Sequence, residues 1–154
     1  MKFAASLVLA AVAAVLATPA SAQFAKPEDA VKYRQSALFV MSQHFGRIGA
    51  MTSGKAPYDA KAAVANAEIV AAIAKLPWPA FSAATEKVTV PTRAKPEIWT
   101  EAAKFKENGE HLVAETGKLL AAAQTNNLDN LKTAFAATGK TCKSCNDDFR
   151  KDQR

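Results

Sequence analysis

The sequence contains only two cysteines, Cys142 and Cys145, and they stand three residues apart near its C-terminal end. No further cysteine exists to pair with them, so they cannot belong to the disulfide framework that holds many small secreted domains together. The pair therefore indicates local chemistry at one point of the chain.

Histidine is equally rare, and this limits the metal sites that the sequence could build. A structural zinc site normally takes four ligands and usually shows two pairs of them. Here the only histidines, His44 and His111, are far from the cysteines and off the main apolar stripes, so we expect both on the surface. No Ser/His/Asp arrangement and no paired carboxylates with a shared site occur, so the protein is not predicted to be an enzyme.

Clusters of one charge are also missing, although the chain is basic overall. The formal net charge is +6, yet no run of positive residues exceeds two. A nucleic-acid footprint would be a stripe of Lys and Arg with interleaved aromatic residues. We therefore expect no nucleic-acid partner, and a solvated basic surface that could weakly steer an anionic one.

No long apolar run follows the first 22 residues. Within them, Lys2 precedes the apolar segment Ala4–Leu16, and Ala20 and Ala22 supply small residues where a signal peptidase reads. That segment is shorter than the roughly 20 residues needed to span a bilayer. The pattern predicts a secretory signal over 1–22 and one exported domain over 23–154, with no membrane segment after cleavage.

Glycine is sparse, alanine is abundant, and the strongest apolar periodicities are helical, so the fold is predicted to be all-α. We expect helices from Pro27 to the glycines around 49–54, from Tyr58 to Leu76, from Pro96 to Ala123, and from Leu128 onward. Two connections are short, whereas the crossover of about 20 residues before Pro96 is long. This pattern predicts an antiparallel, up-down-up-down four-helix bundle.

The fourth helix carries an apolar stripe in which every gap is three or four residues. Both cysteines belong to this stripe, so they should lie one turn apart on the buried face, where the edge of a flat ligand could be fastened. The stripe consists of Leu128, Leu131, Phe135, Thr138, Cys142, Cys145 and Phe149.

Several chemistries compete for this cysteine pair. C-x-x-C followed by histidine would indicate covalent haem c, but Asn146 follows here. A thiol–disulfide pair normally sits at a helix N-terminus, whereas these cysteines lie in the last turns, before Asp147 and Asp148. Zinc lacks further ligands. A loosely held haem, as in cytochrome b562, would need methionine and histidine on the first and last helices, and the last has neither.

Five segments together resemble the cytochrome c′ family of periplasmic c-type cytochromes. They are "KPEDAVKYRQSAL", "PYDA", "LPWPAF", "RAKPEIW" and "CKSCNDDFRK", and the match spans essentially the whole chain after the signal. The resemblance implies haem c bound through Cys142 and Cys145. It also implies a homodimer packed through the first two helices, binding of nitric oxide or carbon monoxide, and electron transfer with small redox proteins.

The resemblance also implies roles for individual residues. Leu38 matches the apolar residue that crowds the distal face of the haem, and Arg150 matches an arginine one turn past the ligand position. Arg34 lies on the inward stripe of the first helix, where a charge needs a partner, and a haem propionate would supply one, with Gln35 beside it. Further predicted pocket walls are Met41, Trp78, Phe81, Phe105, Phe135 and Phe149.

The chain departs from the family pattern at Asn146, where the family has the histidine that ligates the iron. An amide nitrogen has no free lone pair, and a carbonyl oxygen is a poor donor to haem iron. Two hypotheses follow. Either haem is attached and its proximal ligand is altered, or the chain is an apo bundle with a thiol–disulfide pair and no haem.

Overall fold

The computed structural model describes residues 23–152, so the predicted signal over 1–22 lies outside the described residues. The helices are α1 (Pro27–Thr52), α2 (Ala60–Ile73), the single-turn α3 (Glu97–Thr100), α4 (Ala102–Gln124) and α5 (Leu128–Phe149). The four long helices pack in a bundle, which confirms the predicted all-α architecture. Between residues 23 and 152, no helix is both long and apolar enough to cross a membrane.

Three of the long helices begin at residues that favour a helix N-terminus. α1 starts at Pro27, whose missing N–H costs nothing in a first turn. Asp59 caps α2 by accepting a hydrogen bond from the Ala62 N–H at 3.1 Å. Asn127 caps α5 by accepting two backbone N–H bonds at 2.9 and 3.1 Å. The predicted starts at Pro27 and Leu128 are therefore confirmed.

The predicted end of α1 near the glycines at 49–54 is confirmed, because the helix ends at Thr52. Gly49 is needed for a close contact between helices. A Cβ atom at Gly49 would lie 2.8 Å from the ring of Phe135 on α5. That ring is itself stacked on Phe45, with centroids 4.2 Å apart. Gly49 thus lets a phenyl ring approach the α1 backbone.

The core contains a large residue from most helices but mainly alanine from α2. Ile48, Leu119 and Leu131 are fully buried, whereas α2 contributes Val70 and a face of small residues. Leu76, the last residue of the helix predicted over 58–76, is 43% exposed. It follows the end of α2 at Ile73, so the helical period no longer directs its side chain. The buried alanines on or next to α2 are Ala63, Ala67 and Ala74.

The long crossover between α2 and α3 is fastened to the C-terminal end of α5. Lys95 donates its backbone N–H to the Phe149 carbonyl, and its ammonium donates to the carbonyls of Asp147 and Asp148. These bonds satisfy carbonyls that the end of a helix leaves without partners. The Arg93 guanidinium donates two bonds to the Lys151 carbonyl, at 2.9 and 2.6 Å. The crossover therefore covers one side of the bundle at the end that carries the cysteines.

Two glycine substitutions in α1 should have opposite effects on stability. Gly46 has open space around it, so Gly46→Ala should raise the free energy of unfolding by about 0.5–1 kcal/mol through backbone entropy. Gly49→Ala should lower the free energy of unfolding, because displacing the Phe135 ring costs about 1–3 kcal/mol. That cost is larger than the stabilisation from reduced backbone entropy. Urea unfolding of both variants measures this, and equal midpoints would contradict the Gly49 contact.

Candidate functional site

A cavity of about 550 Å³ opens between α1, α4, α5 and the crossover. Its size falls within the roughly 300–1,000 Å³ usual for ligand and cofactor sites. All the site residues predicted from the sequence except Phe135 line this one cavity, although their roles toward a cofactor remain predictions. The predicted residues that line it are Arg34, Gln35, Leu38, Met41, Trp78, Phe81, Phe105, Cys142, Cys145, Asn146, Phe149 and Arg150.

The two cysteines of α5 face the cavity as half-buried free thiols. Burial raises the pKa of the Cys142 thiol. Burial also raises the pKa of Cys145 to about 11, with smaller contributions from the neighbouring Cys142 and Asp148. Both thiols are therefore protonated at neutral pH. This is the opposite of the low thiol pKa that makes a redox-active pair reactive.

Asn146 lies beside the cysteines and lines the same cavity. Its side-chain nitrogen donates a 2.8 Å hydrogen bond to the carbonyl of Cys142, one turn earlier in α5. The nitrogen has no lone pair to offer a metal, and the carboxamide oxygen is a hard donor poorly matched to haem iron. The residue at this position is thus engaged with its own helix and is a poor iron ligand.

A connected set of aromatic rings forms one wall of the cavity. Phe105 contacts Trp78, Phe81 and Phe149 edge-on, with ring centroids 5.7, 4.8 and 5.1 Å away. Edge-to-face pairs of this kind are favourable and hold each ring in one orientation. Phe135, also predicted as a wall, instead stacks on Phe45 next to Gly49 and does not line the cavity.

Arg34 is the most unusual residue of the site, because its charged side chain is only 2% exposed. Its Nη1 atom donates to the Ala80 carbonyl at 2.9 Å and to the Thr85 hydroxyl at 3.0 Å. Its guanidinium carbon lies 4.2 Å from the centre of the Phe81 ring. Burial lowers the pKa of Arg34 to about 10, so it remains charged at neutral pH.

The charge of Arg34 has no carboxylate partner among residues 23–152, and its buried Nη2 atom has no hydrogen-bond partner there either. A buried donor that carries positive charge is costly unless an acceptor reaches it. Arg34 lines the cavity, so the missing partner is best supplied by an anionic group bound within it.

Two further arginines, Arg93 and Arg150, line the cavity, and no aspartate or glutamate does so in the described part of the chain. Arg93 was not predicted as a site residue, although the unusual length of the crossover that contains it indicated either a function or a cover over a site. Gln35 was predicted to share an anion with Arg34. Its side-chain nitrogen instead donates to the Pro91 carbonyl at 3.0 Å, which ties the crossover to α1.

Neither histidine lines the cavity. His111 is exposed on α4, as expected. His44 is half-buried, and its Nδ1 atom lies 2.8 Å from the Asn66 carboxamide oxygen on α2. The Asn66 amide is oriented by its bond to the Ala62 carbonyl, so Nδ1 of His44 carries the hydrogen. His44 is thus a contact between helices and not the free surface residue that was expected.

A family model described as Cytochrome C′ matches residues 29–150, most of the chain. This chain belongs to the cytochrome c′ family. Members of the family are haem proteins that bind gases or carry electrons and are not classical enzymes, and membership implies covalently bound haem c. Cytochrome c′ is itself a standard example of the up-down four-helix bundle.

Named relatives support the same assignment. Cytochrome c′ of Alcaligenes xylosoxydans xylosoxydans is 49% identical over 129 residues, which cover 84% of this chain and 98% of the relative. Cytochrome c′ of Rubrivivax gelatinosus is 45% identical over 128 residues, covering 83% and 98%. The crystal structure of cytochrome c′ from Rubrivivax gelatinosus superposes with a TM-score of 0.81 and covers 84% of this chain and 100% of that chain.

A nitric oxide complex of a mutant of cytochrome c prime from Alcaligenes xylosoxidans is also similar. It superposes with a TM-score of 0.78 at 46% identity and covers 85% of this chain and 100% of that chain. The likeness therefore extends from the sequence to the whole helical domain.

The cavity fits the organic part of a haem c group. Two thiols on one helix face could bind its edge, the aromatic wall and apolar side chains would enclose its ring, and the unpartnered Nη2 atom of Arg34 could receive an acidic side chain. The position next to Cys145 does not fit the iron, because Asn146 offers no good donor. The site thus has side chains suited to the porphyrin ring of haem but no suitable ligand for its iron at the position next to Cys145.

The raised pKa of Cys145 predicts slow alkylation at neutral pH. In the apo protein with Cys142→Ala, which leaves one thiol, the rate of reaction with iodoacetamide should rise with pH through a midpoint above the usual pKa of about 8.5. Asp148→Asn should lower this midpoint, because a nearby negative charge that disfavours the thiolate is removed. Asp147→Asn, on the same turn, is the matched control. An unchanged midpoint in Asp148→Asn would refute the assigned cause.

Proposed function

We propose that this member of the cytochrome c′ family is a periplasmic haem c protein that binds nitric oxide or carbon monoxide, transfers electrons, or does both, with an altered proximal ligand. The observation that carries the proposal is Arg34, a buried charge without a partner beside a cavity that also holds both cysteines. When bound, haem c would supply a redox-active iron with a coordination position for a diatomic gas. The apolar segment within 1–22 supports export.

The cysteines would hold the cofactor by addition chemistry. Each S–H bond of Cys142 and Cys145 would add across one vinyl group of haem, so that carbon–sulfur and carbon–hydrogen bonds form and no oxidant is needed. Their raised pKa values keep both thiols protonated at neutral pH, the form in which the S–H bond is available for the addition. Their spacing of three residues places both on the cavity side of α5.

Arg34 would bind an acidic side chain of the cofactor through a charge-assisted hydrogen bond, which is stronger than a neutral one. Ala80 and Thr85 already fix its Nη1 atom, so Nη2 is held in one orientation before any ligand arrives. Arg93 and Arg150 add positive potential at the same cavity and so favour an anionic guest.

The wall formed by α1 would restrict which molecules reach the iron. Leu38 and Met41 line the cavity on that helix, and neither carries a group that binds water strongly. Such a wall favours small apolar diatomic molecules over water and larger ligands. Support for nitric oxide comes from the relative crystallised as its nitric oxide complex.

The second candidate function is an apo bundle with a thiol–disulfide pair, and Asn146 is the observation that favours it. If the attachment machinery reads a histidine at that position, haem would not be joined and the thiols would remain free. The raised pKa of Cys145, to about 11, counts against rapid disulfide exchange.

Mass spectrometry of the secreted protein separates the two functions. Coexpressed with haem-maturation enzymes, the chain should gain the mass of one haem and keep it after denaturation, because the thioether bonds are covalent. Asn146→His should gain the same mass of one haem over its own chain but show a histidine-ligated, five-coordinate absorption spectrum that the parent lacks. A colourless parent would refute the haem function, and a histidine-type spectrum in the parent would refute the altered ligand.

We also propose that the protein is a homodimer packed through α1 and α2. Phe39 is 62% exposed on α1 and adjoins the exposed Val40, next to Lys32, Gln35 and Ser36, so an apolar patch faces outward on this helix. A second copy would cover it.

A charge in this patch should separate the dimer. Phe39→Glu should yield monomers in sedimentation velocity, because burying an unpaired carboxylate in the interface is costly. Ala136→Glu, at an exposed position of α5, is the control and should remain dimeric. If Phe39→Glu sediments like the parent, the interface lies elsewhere.

A further inference from the structure

We propose that the cavity is a tetrapyrrole site that selects its ligand by carboxylates and ring shape and is indifferent to the central metal. Its ligand class is the dicarboxylate porphyrins, with or without iron. The inference rests on the proposed function, since it concerns the same cavity, but it goes beyond a haem site by naming what the protein recognises.

The first support is the charge of the cavity lining. Arg34, Arg93 and Arg150 bring three positive charges, and no carboxylate from residues 23–152 lines the cavity. Only Arg34 is fully buried, and its Nη2 atom is the one buried guanidinium nitrogen among the described residues without an acceptor. The structure thus presents one fixed, desolvated donor and two cations at more exposed positions, which matches a ligand with more than one acidic group.

The second support is the scarcity of metal donors. Both histidines lie outside the cavity, and the nitrogen of Asn146 donates to the Cys142 carbonyl. The two cysteine sulfurs are soft donors that line the cavity, and the test below removes both of them. Among the lining residues, the thioether of Met41 is the only other side chain that could ligate a soft metal. It projects from α1 and not from the helix that carries the cysteines.

These two features determine where the affinity comes from. Arginine–carboxylate bonds and burial of an apolar ring against Trp78, Phe81 and Phe105 are the same whether or not iron fills the ring. A strong metal–ligand bond would add affinity for the iron form alone. In this chain such a bond is missing, so the two forms should bind alike.

Ligand titration of the mature chain with Cys142→Ala and Cys145→Ala tests this, since removing both sulfurs prevents thioether formation and thiolate ligation. The probes are metal-free protoporphyrin IX and haemin, and the readout is quenching of the lining Trp78. We expect the two Kd values to agree within about threefold. Adding Arg34→Gln should weaken both probes by about tenfold or more, as expected for loss of a charged hydrogen bond.

Asn146→His in the same background is the matched control. The new imidazole should tighten haemin by about tenfold or more and leave the affinity for metal-free protoporphyrin unchanged. That outcome would show that the site can sense a metal once a donor is present. Circular dichroism of each variant checks that the bundle is folded.

The proposal is overturned if the Asn146 form binds haemin more than about tenfold tighter than metal-free protoporphyrin. Loss of that preference in Met41→Leu would then identify Met41 as the ligand. It is also overturned if Arg34→Gln binds both probes as the parent does. Either result leaves the haem function standing if the secreted protein carries covalent haem by mass, so the two failures are distinguishable.

Discussion

The burial of one guanidinium group organises much of this molecule. Moving a charge out of water costs several kcal/mol even after the protein relaxes, and Arg34 meets part of that cost with bonds to Ala80 and Thr85 and with the face of Phe81. All three of these residues belong to the crossover between α2 and α3. Arg34 on α1 therefore fixes the position of the crossover, and the crossover forms one wall of the cavity.

The same crossover fixes the far end of the site. Lys95 satisfies the last carbonyls of α5, and Arg93 binds the Lys151 carbonyl just beyond the helix. The helix that carries the cysteines is thereby held from outside at its C-terminal end, close to Asn146 and Arg150. Hydrogen bonds of Arg34 on the inner side and of Lys95 on the outer side thus fasten the crossover to α1 and to α5.

The sequence predicted the features that depend on local chemistry and period. Pro27 marks the start of α1, and the stripe of α5 correctly places Cys142 and Cys145 on one face. The close contact of Gly49 with Phe135 was not predicted, because it involves residues far apart in the chain.

The apolar period of a helix identifies which residues face inward. It does not show whether an inward residue packs in the core or lines the cavity. Leu38 and Phe45 are inward yet only half-buried, since they face the cavity, whereas Ile48 on the same stripe is fully buried. Arg93 was not predicted because it lies in a crossover without regular secondary structure, where no hydrophobic periodicity indicates which side chains face inward. Contacts between segments far apart in the chain therefore determine which residues line the cavity, and the sequence pattern does not show these contacts.

The unpartnered Nη2 atom of Arg34 also links the cofactor to the lifetime of the polypeptide. Any anion that satisfies it binds the folded chain and not the unfolded one, so its binding free energy adds to the stability of the fold. A chain without such an anion is therefore less stable than a chain that holds one, and less stable chains are the ones that proteases remove first. The amount of folded protein is thus coupled to the supply of the anion that Arg34 binds.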